Sequence, residues 1–182
     1  TGGRSGTAIV TVTNPVRTLT LATTSFTLVQ AQPQALAVTA RDDGGAVIAN
    51  PTITYGTSAE GVATVSTAGV ITAVAPGPAP ITASAGSVNV TAAVTVRDGG
   101  YVTTTGGTIS ALDGQLQLLV PAGALSAPTA FTVSTVPAPP ASARLLANSA
   151  VRLEPAVTLT TPPTLRLRYA PPPAPRAGET QL

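Results

Sequence analysis

The sequence predicts an all-β chain of sandwich type, and three observations carry that prediction. Residues Gly61 to Gly86 (GVATVSTAGVITAVAPGPAPITASAG) alternate short β-branched runs with Gly and Pro turns. Val62, Val65, Val70, Ile71 and Ile81 supply the apolar side chains, and Gly69, Gly77 and Gly86 break the runs. That spacing suits short antiparallel strands in a sandwich or barrel. Val88, Val90, Ala92, Val94 and Val96 then keep strict alternation, the pattern of one long strand. Finally, Thr, Val, Ala, Gly and Pro dominate, and no window of ten or more residues has a clean helical period.

At 182 residues the chain has room for one large or two small domains of roughly 100 residues each. Apolar residues make up 43% and aromatics only 3%, so the core must be built from Val, Leu, Ile and Ala. Charged residues are 9% of the chain, against about 25% in an average soluble domain. Thr stands in for charge on outward strand faces. All nine basic residues are Arg, and they are scattered. Nucleic-acid binding needs clustered cations that displace counterions, so no nucleic-acid partner is expected. The absence of Cys and His excludes disulfides, Cys/His zinc sites, haem ligation and Cys or His nucleophile systems. It does not argue for the cytosol. No run of 18 apolar residues offers a transmembrane helix.

Taken in order, Ser5 to Pro15 (SGTAIVTVTNP) reads as the end of a domain. Ala8, Val10 and Val12 alternate with Thr7, Thr11 and Thr13 until Asn14-Pro15 stops the strand. Residues 1–14 are therefore assigned to the last strand of a preceding Ig-like domain. Thr7 to Thr13 is expected to pair outside the core that follows. That core, residues 15–97, opens with Leu19 and Leu21, then Phe26 and Leu28. Leu36, Val38 and Ala40 form one strand face. Arg41-Asp42-Asp43-Gly44-Gly45 makes a hairpin turn, since Asp and Gly tolerate positive φ. Ile53 and Tyr55 face inward. Asp98-Gly99-Gly100 is expected to act as a short linker.

In residues 98–182 Gly107 begins a strand and Asp113-Gly114 turns it. Leu116, Leu118 and Val120 share one face, Pro121 to Leu125 forms a turn, and Phe131 and Val133 open the next strand. Val151, Leu153, Val157 and Leu159, then Leu165, Leu167 and Tyr169, supply later strands. Pro137 to Pro140 and Pro171 to Pro175 read as stiff connectors.

The Gly61 to Gly86 stretch resembles the bacterial Ig-like family BIg2, with its "VATVS..GVVTAV..G.ATITA" core. Tyr55 stands where that family commonly has Trp. The stretch GGTISALDGQLQLLVPAGALSAPTAFTVS, Gly106 to Ser134, resembles the opening of a ZU5-type β-sandwich. The resemblances imply a tandem Ig-like and ZU5-like pair of sandwiches, the second incomplete, within a longer bacterial polypeptide. Autoproteolytic ZU5 relatives depend on a His-Phe-Ser motif that this chain does not contain.

Candidate chemistry is sparse. Asp42, Asp43, Glu60, Asp98, Asp113, Glu154 and Glu179 are the acidic residues. Asp42 and Asp43, adjacent in a turn, are read as solvated turn residues rather than an acid/base pair. Asp98 lies at the expected junction, where calcium is conceivable, but such a site needs about six oxygen ligands and no DxDxDG-like loop is present. Arg166 and Arg168, two apart on one strand face with Arg152 nearby, would suit an anionic glycan but are read as a solvated face. Tyr101 is read as packing the junction. No catalytic, cofactor or metal residue is expected.

The expectation is a non-catalytic structural or spacer segment of a multi-domain bacterial cell-surface or extracellular protein, in one form assembling into a filament or coat. Its partners would be neighbouring domains or copies of the same protein. Adhesion, with a glycan or surface protein as partner, is the runner-up. A phage structural or decoration role, hence a virion, is another alternative, and an accessory module of a secreted hydrolase a fourth.

Overall fold

The computed structural model describes residues 15–136 and 150–168, and these hold fifteen strands and no helix. The expected strand at Thr7 to Thr13, the two Pro-rich connectors, Tyr169 and Glu179 lie outside the described residues.

The first part of the chain contributes β1 (Thr18–Leu21), β2 (Ser25–Val29), β3 (Pro33–Ala35), β4 (Val38–Arg41) and β5 (Thr54–Thr57). It continues with β6 (Ala63–Val65), β7 (Val70–Ala73), β8 (Gly77–Ala85) and β9 (Val88–Arg97). One sheet runs β2-β9-β8-β5, and β3-β7-β6 and the pair β1-β4 form the other strand groups. Period-two burial on β8 and β9 turns Ala79, Ile81, Ala83, Ala92, Val94 and Val96, with Leu28 of β2 on the same side, to one core with Ala63, Ile71 and Ala73 of β6 and β7. Ile71 and Ile81 are fully buried, each worth about 1.5–3 kcal/mol of apolar transfer. At the other end of β8 and β9, Ala85 packs with Leu19 of β1 and Ala40 of β4. The strand expected through Leu36, Val38 and Ala40 is broken after β3. Buried Leu36 joins one cluster, Val38 packs against both, and Ala40 is buried in the other.

Two features modify the sequence reading. β2 pairs with β9 in parallel, Ser25 opposite Ala93 through Val29 opposite Arg97, where alternation had suggested antiparallel strands. Alternation reports the buried face and says nothing of strand direction. Pro78 and Pro80 lie within β8, but β5 pairs only with Ile81 to Ser84. Among the described residues the Pro-bearing half of β8 therefore has an open side, where a missing N–H is tolerated and discourages a foreign strand.

Asp42 holds the predicted hairpin. Its Oδ1 accepts the Ala46 N–H at 2.9 Å, its carbonyl accepts the Gly45 N–H at 3.1 Å, and Gly45 adopts φ 79°. Gly69 is required twice over. Its φ is 74°, and a Cβ there would sit 2.8 Å from Cζ of Tyr55, whose half-buried ring packs against the core. Gly69→Ala is expected to cost about 2 kcal/mol, from left-handed backbone strain plus overpacking. Chemical denaturation checks this, and adding Tyr55→Leu should return the steric part only.

The second part contributes β10 (Gly99–Val102), β11 (Gly107–Ala111), β12 (Leu116–Val120), β13 (Thr129–Val136), β14 (Ala150–Glu154) and β15 (Thr164–Leu167). Sheets β10-β13-β14 and β11-β12-β15 enclose Val102, Ile109, Leu118, Val120, Phe131 and Val133. No buried core residue is shared with the clusters before it. Val157 and Leu159 are not in a strand as expected; Leu159 instead packs against this core from a segment tied down by Thr160, whose N–H donates to the Ala124 carbonyl at 3.1 Å.

Candidate functional site

The described residues place the most interactions of distinct kind at the join between the two cores. β9 ends at Arg97, one residue intervenes, and β10 begins at Gly99. The expected linker Asp98-Gly99-Gly100 is thus not a tether. Gly99 and Gly100 are buried and pair with Thr132 and Phe131 of β13. A Cβ at Gly99, where φ is 144°, would lie 1.9 Å from the Phe131 carbonyl oxygen, and one at Gly100 would lie 3.1 Å from Cα of Ile109. At Gly99 the β13 backbone approaches too closely for any side chain, and at Gly100 the contact with Ile109 is tight enough that β11 would have to give by a few tenths of an ångström.

Asp98 ties the join on two sides. Its carbonyl accepts the Val133 N–H at 2.9 Å, and its Oδ2 accepts the Leu112 N–H at 2.7 Å. Leu112 and Asp113 both have positive φ, at 55° and 54°, and Gly114 N–H donates to the Ala111 carbonyl at 3.1 Å. Gly114 also has positive φ, at 79°, and the Gln115 N–H donates to the Leu112 carbonyl at 3.0 Å, so the expected Asp113-Gly114 turn is present and Leu112 adds a third left-handed residue ahead of it. The Asp98 carboxylate helps hold a leucine in that conformation. Removing it with Asp98→Ala leaves a half-buried N–H without its partner and is expected to cost about 1–2 kcal/mol. Asp98→Asn, which keeps an acceptor, should lose less; denaturation midpoints decide.

From the first part of the chain the β2–β3 turn reaches the same place. The Gln30 carbonyl accepts the Tyr101 N–H at 2.8 Å, while the Gln30 side chain donates Nε2–H to the Val74 carbonyl at 2.8 Å. Gln32 Oε1 accepts the Val29 N–H at 3.1 Å and steadies Ala31 at φ 64°. Tyr101, expected to pack the junction, is half-buried there. Gln30 and Gln32 were not singled out from sequence, because a Gln pair beside a turn carries no distinctive pattern.

Asp98 and Asp113 line one shallow groove with Gln30, Pro76 and Ser110. Among the described residues no group of three or more acidic side chains gathers to hold a metal. The remaining acidic candidates are spread out. Asp43 meets Arg17 at 3.5 Å and Glu154 meets Arg152 at 3.5 Å, both pairs largely exposed and worth little. Glu60 lies exposed in a turn.

Arg152 and Arg166 do not share a face: Arg152 is on β14 and Arg166 on β15, in different sheets. Leu165 and Leu167 oppose Leu118 and Leu116 on the inner face as expected, yet they are 54% and 62% exposed. Among the described residues β14 and β15 are edge strands, and between them opens a small apolar cleft lined by Leu116, Leu118, Val133, Val151, Leu153 and Leu165. No helix among the described residues is long and apolar enough to cross a membrane.

The architecture defines a class: an all-β chain with sandwich cores on either side of a hydrogen-bonded join. No family model and no curated protein matches the sequence. Among solved structures, domains 4 and 5 of the S-layer protein SbsC are similar over 44% of this chain and 51% of that one, at 23% identity and a TM-score of 0.42. Domains 5-6 of SbsC are similar over 66% and 71%, at 18% identity and TM-score 0.43. The longer SbsC(31-844) structure is similar over 90% of this chain and 27% of that one, at 19% identity and TM-score 0.46. The chain thus spans about half the length of the first of these structures.

Proposed function

We propose that this chain is a non-catalytic spacer segment of a multi-domain bacterial cell-surface or extracellular protein, an Ig-like sandwich of the BIg2 kind followed by a ZU5-like one. The observation that carries the reading is the join. The Tyr101–Gln30 main-chain bond crosses between the two cores, and Asp98, the residue after β9, is held to the second core by its carbonyl and carboxylate, which favours a fixed angle between them over free swinging. A low charge fraction and Thr-rich outer faces suit a segment that holds its neighbours apart. Its partners are the neighbouring domains or copies of the same protein.

The adhesion reading has less support. Glycan binding favours an exposed aromatic platform, but Phe26, Tyr55 and Phe131 pack against the cores and Tyr101 is half-buried at the join.

The test uses spin labels on Thr64→Cys and Thr108→Cys, one exposed position on each sandwich of a chain with no native Cys. A narrow distance distribution that broadens on adding Asp98→Ala is expected. A broad distribution in the parent would overturn the stiff-spacer reading. Antibody labelling of intact source cells tests the surface location separately.

A further inference from the structure

We infer that the parallel β2–β9 ladder is a mechanical clamp, so that the first sandwich resists tension along the chain by shear. The inference rests on the spacer reading, because only a segment held at both ends carries tension. Its basis is strand direction. β2 lies near the start of the first sandwich and β9 is its last strand, and the two run parallel through five paired positions, Ser25–Ala93 to Val29–Arg97.

Tension drawn toward both chain ends pulls β2 back along its own axis and β9 forward along its own. The two strands must slide past each other, and the ladder bonds between them break together. An antiparallel hairpin pulled at its open end instead unzips one bond at a time.

The ladder is closed by a further bond at each end. Ala93 N–H donates to the Thr24 carbonyl at 2.8 Å, and Tyr101 N–H donates to the Gln30 carbonyl at 2.8 Å. The second of these lies beyond the join, so the clamp extends into the first strand of the second sandwich. Force leaving β9 passes through Asp98, whose carbonyl is held by Val133, directly into β10. Below the ladder, Leu28, Val94 and Val96 are buried in one core, so sliding also drags apolar side chains out of register. β1, paired over four positions with β4, precedes β2 and is loaded first.

Single-molecule pulling on the full chain in two directions tests the inference. Handles on Thr23→Cys and Arg97→Cys load the ladder in shear. Handles on Thr23→Cys and Ala93→Cys, at one end of the same ladder, peel it. All three positions are exposed. Both directions should release about 240 Å of chain at roughly 3.4 Å per residue. Forced unfolding follows the barrier rather than equilibrium stability, so the directions report the geometry of the ladder even when denaturation midpoints agree. If Arg97→Cys lowers the midpoint, Thr95→Cys, also exposed, carries the handle instead.

The expected result is an unfolding force at least about twofold higher in shear than in peeling, at one loading rate. A smaller ratio, or the reverse order, overturns the clamp. The outcome is separable from the spacer reading. A narrow distance distribution with equal forces removes the clamp and leaves the stiff spacer. A broad distribution with a high shear force does the opposite.

Discussion

Gly99→Ala is expected to destabilise the second sandwich by about 3–5 kcal/mol, near the upper end of single substitutions. Two independent costs meet at this residue. At φ 144° any L side chain is strained, by roughly 1–3 kcal/mol. The new Cβ would also lie 1.9 Å from the Phe131 carbonyl oxygen. That oxygen belongs to the backbone of β13, opposite β10, so it cannot rotate away as a side-chain end would. Relief requires β10 and β13 to separate, which opens the join as well as the core. Chemical denaturation of the full chain measures the loss, and the spin-label pair reports whether the inter-core distance broadens with it. Gly114→Ala is the control. It shares a positive φ of 79° but has no atom within 4 Å of the added Cβ, so only the backbone cost of about 1 kcal/mol remains. Comparable losses for the two variants would show that close approach at Gly99 does not matter.

Phe131→Ala is the second large effect, expected at about 3–5 kcal/mol. Phe131 is 2% exposed, the bulkiest enclosed side chain among the described residues, and packs in one core with Val102, Ile109, Val120 and Val133. Among the described residues no other member of that core is aromatic, so the space it leaves has no second ring from the core to fill it. Ile71→Ala, at a fully buried position in the first core, is expected at about 2–5 kcal/mol. The two clusters share no residue, so the losses should add. Each variant should lower its own unfolding transition and leave the other nearly in place. A single transition shifted equally by either variant would mean that the join couples the cores into one cooperative unit.

The strand faces were legible because burial imposes a period of two. The alternation through Val88 to Val96 appears as β9 with Ala92, Val94 and Val96 buried. Leu116, Leu118 and Val120 behave likewise on β12. The Asp42 hairpin was legible because its turn needs residues that tolerate positive φ. The join was not. Asp-Gly-Gly has the composition of a tether, and only the approach of β13 shows why Gly99 admits no side chain and that of β11 why Gly100 is tight. Asp98 likewise reads as one more turn residue until the Leu112 N–H, 14 positions on, is found against its carboxylate.

The sequence by itself determined the class of structure, the inward faces and most turns. These follow from local rules: side-chain period, β-propensity, and the backbone freedom of Gly, Asp and Asn. Tertiary structure decided what depends on contacts between distant segments. It set the parallel direction of β2 against β9, the switch of the chain between strand groups after Leu36, and the bond from Tyr101 to Gln30. It also left Leu165 and Leu167 uncovered on an inner face that alternation alone would have called core. A period of two says which side chains lie together. It does not say which strand lies beside them, in which direction, or whether anything covers them.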